Sequence, residues 1–179
     1  MLGLQPVYTV NRTVLRDSRG NMAALNALAN DVYMHRDRNG FRLHTEAERE
    51  FAARGGNPGA SEWMYFFSGN NNANMVAWHF LNTEIPRPVQ PVGRKNANRL
   101  GIHDLSGNVM EWGWDRMAWN VAVTASTPPD GDRTGAQRPM AGGSASSNPS
   151  MAVPSDRWGF TPGFPDAQRV GFRVVRSAH

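Results

Sequence analysis

Leu105-Ser106-Gly107-Asn108-Val109-Met110-Glu111-Trp112-Gly113-Trp114-Asp115 is the stretch on which the fold of this chain turns. A Ser-Gly-Asn turn signal leads at once into large side chains that alternate with small or charged ones, the pattern of a strand leaving a tight turn. On a period of two, Val109, Glu111 and Gly113 share one face, while Met110, Trp112 and Trp114 share the other. There the rings would bury roughly 150–250 Å² each. Glu111 is then set in a largely apolar segment, where an unpaired carboxylate is very costly. It must meet a cation, an arginine such as Arg173, or backbone N–H groups.

Working outward, 179 residues with 40% hydrophobic content can build one core, so residues 1–179 read as a single domain. The 18 Gly and 12 Pro, with few long helical runs, predict a loop-rich α+β chain rather than a bundle. The formal charge of +4 is almost wholly arginine, Lys95 being the only lysine, and the arginines are scattered. That argues against a nucleic-acid face. Cysteine is absent, which removes disulfides, thiolate metal sites and a cysteine nucleophile. The chain has neither a signal-peptide core at its start nor an apolar run long enough to span a bilayer. The compartment stays open, and a lost leader would make the cell surface or the exterior an option.

Upstream of the central stretch, Thr45–Arg54 carries the strongest helix pattern. Thr45 and Glu48 form a capping box, acidic residues crowd the first turn and Gly55-Gly56 stops the run. Ala47, Phe51 and Arg54, with Ala52 near them, form its expected stripe, and His44 reads as a surface or hydrogen-bonded residue. Met22–Ala29 is a short-helix candidate and Val32–His35 a strand. Arg38-Asn39-Gly40 is expected to turn that strand as a hairpin into Phe41-Arg42-Leu43. The Asn-rich run at 70–74 reads as a turn built on left-handed Asn, with a ligand-binding amide surface as the other reading. Asn82–Gln90 reads as extended linker and Arg116–Arg138 as a long irregular loop.

Four segments carry a family resemblance, in order along the chain. Gly40–Gly56, Pro91–Asp104, the central stretch, and Gly142-Gly143-Ser144 with Gly171-Phe172-Arg173-Val174-Val175-Arg176 resemble the formylglycine-generating enzyme or sulfatase-modifying-factor domain family, with its C-type-lectin-like fold. His44, Arg49 and Phe51 stand where that family's pattern has Pro, Trp and Tyr. Leu4–Val10 is similar to a segment well inside the family domain, which implies that an N-terminal portion of about one hundred residues is lacking. The resemblance also implies a structural calcium ion near Ser106, Gly107, Asn108, Val109 and Glu111, oxygen ligands from a tight turn being what a hard cation needs. Calcium and Arg173 remain alternative partners for Glu111.

Catalytic members hold copper with two cysteines shortly after Gly-Gly-Ser, and counting without gaps puts Ser147 and Ala152 at those places, so no copper is expected. The iron-using relatives rely on a histidine triad, and the five histidines here form no such cluster in sequence. The expectation leans away from an enzyme and toward a pseudoenzyme. In place of a metal site, Ala145–Val170 offers small polar residues followed by Trp158, Phe160 and Phe164 among Gly and Pro, the composition of binding loops on a rigid scaffold. A second resemblance, to variable proteins of diversity-generating retroelements, implies randomised codons between fixed residues in this part of the chain. The expected ligand-facing positions are Ala145, Ser146, Ser147, Asn148, Ser155, Asp156, Trp158, Phe160, Phe164 and Ala167. The ligand would be a protein or a glycan. The alternatives are a formylglycine-generating-enzyme-like oxidoreductase, and a structural fragment that completes its fold with another chain supplying the N-terminal part.

Overall fold

The computed structural model describes residues 4–5, 8–10, 32–34, 37–117, 137–161 and 169–177. Among these residues there are eight short strands, β1 (Tyr8–Val10), β2 (Val32–Met34), β3 (Arg42–Leu43), β4 (Met110–Trp112), β5 (Arg138–Ala141), β6 (Arg157–Phe160), β7 (Val170–Phe172) and β8 (Val174–Val175). Two helices are described, α1 (Glu46–Ala53) and the single turn α2 (Ala73–Val76), with 3-10 turns at Ser61–Met64 and Pro149–Ala152. The main sheet runs β6-β5-β4-β7, and two-stranded ladders join β1 to β2 and β3 to β8. β4 pairs antiparallel with β5 and parallel with β7, setting Glu111 beside Ala141 and Gly171. The central stretch is thus an interior strand.

The turn before β4 is built as its residues dictate. Gly107 has φ 79° and Asn108 has φ 65°, the left-handed region that Gly adopts freely and Asn tolerates. A Cβ on Gly107 would stand 2.3 Å from Trp78 O, so no other residue fits. Between the two tryptophans the reason for glycine is contact: a Cβ on Gly113 would meet the Pro139 ring at 2.9 Å, and Gly113 N donates to Pro139 O at 2.8 Å.

Burial on β4 differs from the simple alternation. Met110 and Glu111 are both buried, Gly113 too, while Trp112 and Trp114 are half-buried. Glu111 is enclosed by Arg49, His44 and Arg173, while on Trp114 the cover is one side chain, Arg138 stacking at 4.3 Å from the ring centre.

Helix α1 has the capping box read from sequence, Glu48 N donating to Thr45 Oγ1 at 3.2 Å and Thr45 N to Glu48 Oε2 at 2.8 Å. Its buried residues are Arg49 and Ala53 rather than the expected stripe, and Ala47 and Phe51 are exposed. A buried arginine breaks the apolar periodicity that sequence reading relies on.

Two connections also differ from expectation. β2 pairs with β1, and β3 with β8, so Asn39-Gly40 links two ladders instead of closing a hairpin. Asn70 and Asn72 fix their turn by accepting from Asn72 N and Asn74 N, at 2.9 and 3.0 Å, without left-handed backbone at 70–74. Met22–Ala29 lies outside the described residues, as does most of Arg116–Arg138.

The buried side chains are modest in size: Leu105, Met140 and Val76 are the largest apolar ones fully buried. Met64, Phe66, Leu81, Ile85, Val92 and Phe172 are 68–80% exposed. Among the described residues no helix is long and apolar enough to cross a membrane.

Candidate functional site

Two neighbouring structures grow from the β4 turn. The first is a buried charge cluster. Glu111 Oε1 accepts from Arg173 Nε at 3.0 Å and Nη2 at 2.7 Å. Glu111 Oε2 lies 3.8 Å from Arg49 Nε and 4.0 Å from His44 Nε2. His44 is buried rather than on the surface, and burial holds it below its ordinary value while Glu111 pulls the other way. Arg173 is therefore the partner that the core supplies to Glu111.

The second is the chain that follows β5. Gly142-Gly143-Ser144 turns it out of the sheet, and residues 145–154 then run across the scaffold held by their backbone. Ala145 N donates to Asn108 O at 2.8 Å, and the Thr83 hydroxyl donates to Ala145 O at 2.7 Å. Phe80 N donates to Ser147 O at 3.1 Å, Ser106 Oγ to Ala152 O at 2.7 Å and Arg49 Nη1 to Pro154 O at 3.5 Å. Within the segment, Asn148 Oδ1 caps the 3-10 turn through Ser150 N at 3.0 Å. In these five ties the segment offers a main-chain group, which any non-proline residue could offer; one further, longer tie uses a side chain, Ser146 Oγ donating to Arg87 O at 3.5 Å.

The expected ligand-facing residues divide accordingly. Ser155 and Trp158 are exposed, Asn148 is exposed, and Ser146, Asp156 and Phe160 are half-buried. Trp158 Nε1 donates to Asp156 Oδ2 at 3.1 Å, which orients the ring. Ala145 needs correction: it is 2% exposed, pinned by the two bonds above, and turns no surface outward. Ser147 is half-buried, and its hydroxyl braces the turn through Ser144 N at 3.0 Å and Ser144 Oγ at 2.9 Å. Phe164 and Ala167 lie outside the described residues. The segment read as binding loops also contains β6, which pairs with β5 from Arg138↔Phe160 to Ala141↔Arg157. An ion pair of 2.6 Å from Arg157 Nη1 to Glu46 Oε1 ties β6 to the start of α1.

Beside the turn is an open cleft of about 540 Å³, lined in part by Val92, His103, Asp104, Asn108, Val109, Glu111, Phe172 and Arg173. The expected calcium donors fit an ion only in part. Ser106 Oγ already accepts from Ser68 N at 3.0 Å and donates to Ala152 O, and the Asn108 amide is spent on the Gln90 backbone at 2.9 and 3.0 Å. Against that, Asp104 Oδ1 and Glu111 Oε2 are buried carboxylate oxygens without a hydrogen-bond partner among the described residues. Asp104, whose backbone is left-handed at φ 57°, was not in the sequence-derived set; its place two residues before the turn was the available signal. No group of three or more His, Cys, Asp or Glu side chains is arranged for a metal among the described residues.

Comparison with known proteins accords with this geometry. Residues 15–178 match the sulfatase-modifying factor enzyme 1-like domain, and the chain belongs to that family. The solved structure of Treponema denticola variable protein 1 superposes with a TM-score of 0.78 at 32% identity, over 97% of this chain and 63% of that one. A chaperone protein LppX from Paenibacillus barcinonensis is 35% identical over 132 residues, 63% of this chain and 44% of that protein. A formylglycine-generating enzyme from Thermomonospora curvata is 30% identical over 137 residues, 70% of this chain and 45% of the enzyme. The matched parts thus span less than half the length of these two relatives. With no cysteine in the chain, the thiolate copper site of a formylglycine-generating enzyme cannot form from its residues.

Proposed function

We propose that this chain is a non-catalytic ligand-binding module, presenting Ser146, Asn148, Ser155, Asp156, Trp158 and Phe160 to a protein or glycan. The observation that carries the reading is the backbone anchoring of residues 145–154 and, beyond them, of β6 by its ladder with β5. A segment whose position depends on main-chain groups can change its outward side chains without losing its place, which a diversified binding surface requires. The likeness to a variable protein supports the same reading, and on it the codons of these outward positions are the ones to be randomised, as in a diversity-generating retroelement. Trp158, oriented by Asp156, gives rigid contact area, and the Ser and Asn side chains give adaptable hydrogen bonds.

A calcium ion bound in the cleft would be held by Glu111 and Asp104 with carbonyls of the Gly107–Val109 turn, and would stiffen that turn. Elemental analysis and unfolding with and without chelator test it: a midpoint that falls on chelation supports the ion, and an unchanged one removes it.

The binding reading is tested on a glycan array and a panel of extracellular proteins, comparing the wild type with a variant carrying Asn148→Ala, Ser155→Ala, Asp156→Ala and Trp158→Ala. Ligands retained by the wild type and lost by the variant support it. Ligands bound equally by both would place the binding surface elsewhere.

A second reading has its own observation. Phe172, Val92, Ile85 and Met64 are large apolar side chains left 70–80% exposed, and Phe172 and Val92 line one cleft together, an apolar surface of the kind that a partner covers. They suit a further polypeptide, in the same protein or another chain, that completes the fold. A chain that binds hydrophobic dye strongly and lacks a cooperative melt would favour this reading over the first.

A further inference from the structure

We propose that the 79–83 turn, which holds the first residues of the ligand segment, is an acid-labile clasp whose pin is the buried imidazole of His79. The clasp is defined by hydrogen-bond geometry. Leu81 N–H donates to His79 Nδ1 at 3.3 Å, so that nitrogen carries no proton. The other nitrogen, Nε2, then bears the hydrogen and donates to Asn74 Oδ1 at 3.1 Å. The same Asn74 oxygen accepts from Asn82 Nδ2 at 3.1 Å, and Asn82 Oδ1 accepts from His79 N at 2.9 Å. One neutral tautomer thus closes a ring of bonds around the turn. His79 is 3% exposed, so water cannot replace a lost bond cheaply.

The turn reaches the ligand segment at two points. The Thr83 hydroxyl lies 2.9 Å from His79 O and 2.7 Å from Ala145 O, donating between them. Phe80 N, next to the imidazole in sequence, donates to Ser147 O at 3.1 Å. Protonation of Nδ1 would set an N–H against the Leu81 N–H and remove the acceptor that closes the turn. The charged group facing His79 is Lys95, whose ammonium lies 4.1 Å from the centre of the Trp78 ring and 2.7 Å from Asn74 O; it opposes a second positive charge. Burial first, and Lys95 second, hold His79 below its ordinary 6.5. The neutral clasp therefore contributes its full stability above about 6.5, and that contribution is lost as pH falls below 6.5 toward the depressed folded value. The consequence for ligand capture rests on the binding reading above; the clasp itself does not.

The test uses the full chain without any ligand. Backbone amide exchange at Phe80, Leu81 and Ala145, corrected for intrinsic rates, is followed from about pH 7.5 to about pH 5. The wild type is expected to lose protection at these amides by about tenfold or more. In His79→Asn the side-chain oxygen takes the place of Nδ1 and does not titrate, so protection should persist. Equal acid loss in the variant, which would implicate another group such as the buried His44, overturns the proposal, as does a wild type without acid loss. Should His79→Asn fail to fold, nitrogen NMR of the wild-type imidazole decides: the Nε2–H tautomer titrating below 6.5 upholds the clasp, and an Nδ1–H tautomer or an ordinary value ends it.

Discussion

Around β4 the fixing is done by side chains, whereas across residues 145–154 the chain is fixed by its backbone. Glu111, Asn108 and Ser106 are 0–5% exposed and each is fixed by hydrogen bonds of its own side chain. Ala145, Ala152 and Pro154 are held by their main-chain N–H and C=O groups, and Ser147 by its main chain together with its hydroxyl on Ser144. A fixed scaffold and a tolerant segment are thus built next to each other, and three of the segment's five main-chain ties come from side chains of the scaffold, Thr83, Ser106 and Arg49.

Substitution can break this contrast. The largest effect is expected at Glu111→Gln, which leaves Arg49 and Arg173 around a neutral group; removing one partner of a buried pair costs about 3–5 kcal/mol. Denaturant unfolding measures it, and a loss below about 1 kcal/mol would mean that the cluster is not a structural centre. Next comes Asn108→Ala, which orphans the N–H and C=O of Gln90 and forces alanine into a left-handed turn. About 1–3 kcal/mol is expected, read the same way.

A smaller effect comes with acid. Burial pushes the Glu48 carboxyl up, but hydrogen bonds from Arg42 and from Thr45 N pull it down to about 2. A depressed carboxylate contributes stability that is present above its ordinary value of 4.5 and lost as pH falls from there toward 2. Thermal melts across that range should show the loss, diminished in Glu48→Gln; an identical acid profile in the variant would separate the α1 cap and its Arg42 pair from acid stability. Smallest are Ser150→Ala in the tolerant segment and Ser155→Ala directly after it, both exposed and each expected within about 0.5 kcal/mol of the wild type. A loss above about 2 kcal/mol for either would erase the distinction between the two regions.

Much of the local structure was legible. Thr45 and Glu48 announced the helix start, and Ser106-Gly107-Asn108 announced the turn, because capping and left-handed backbone depend on residues a few positions apart. The requirement that Glu111 find a partner was also legible, with Arg173 as one of two alternatives. The identity of the segment after Gly142-Gly143-Ser144 as the departure from catalytic relatives followed from the missing cysteines. The backbone-held character of that segment had no local signal: Thr83 and Ala145 are far apart in the chain, and nothing in either residue type names the other. The burial of Arg49 and His44 ran against hydrophobic periodicity, and their only sequence mark was that both depart from the family pattern within one motif.

By itself the sequence determined the family, the α1 cap, the Gly107-Asn108 turn and the absence of thiolate chemistry, since these depend on residue type and short spacing. Only the tertiary structure decided that Arg173 answers Glu111, that Arg49 and His44 close the same cluster, that Ala145 is buried, and that Asn148, Ser155 and Trp158 face outward. Those outcomes depend on which distant segments share a sheet or a turn, and pairing at long range is set by the packing of the whole chain rather than by any local pattern.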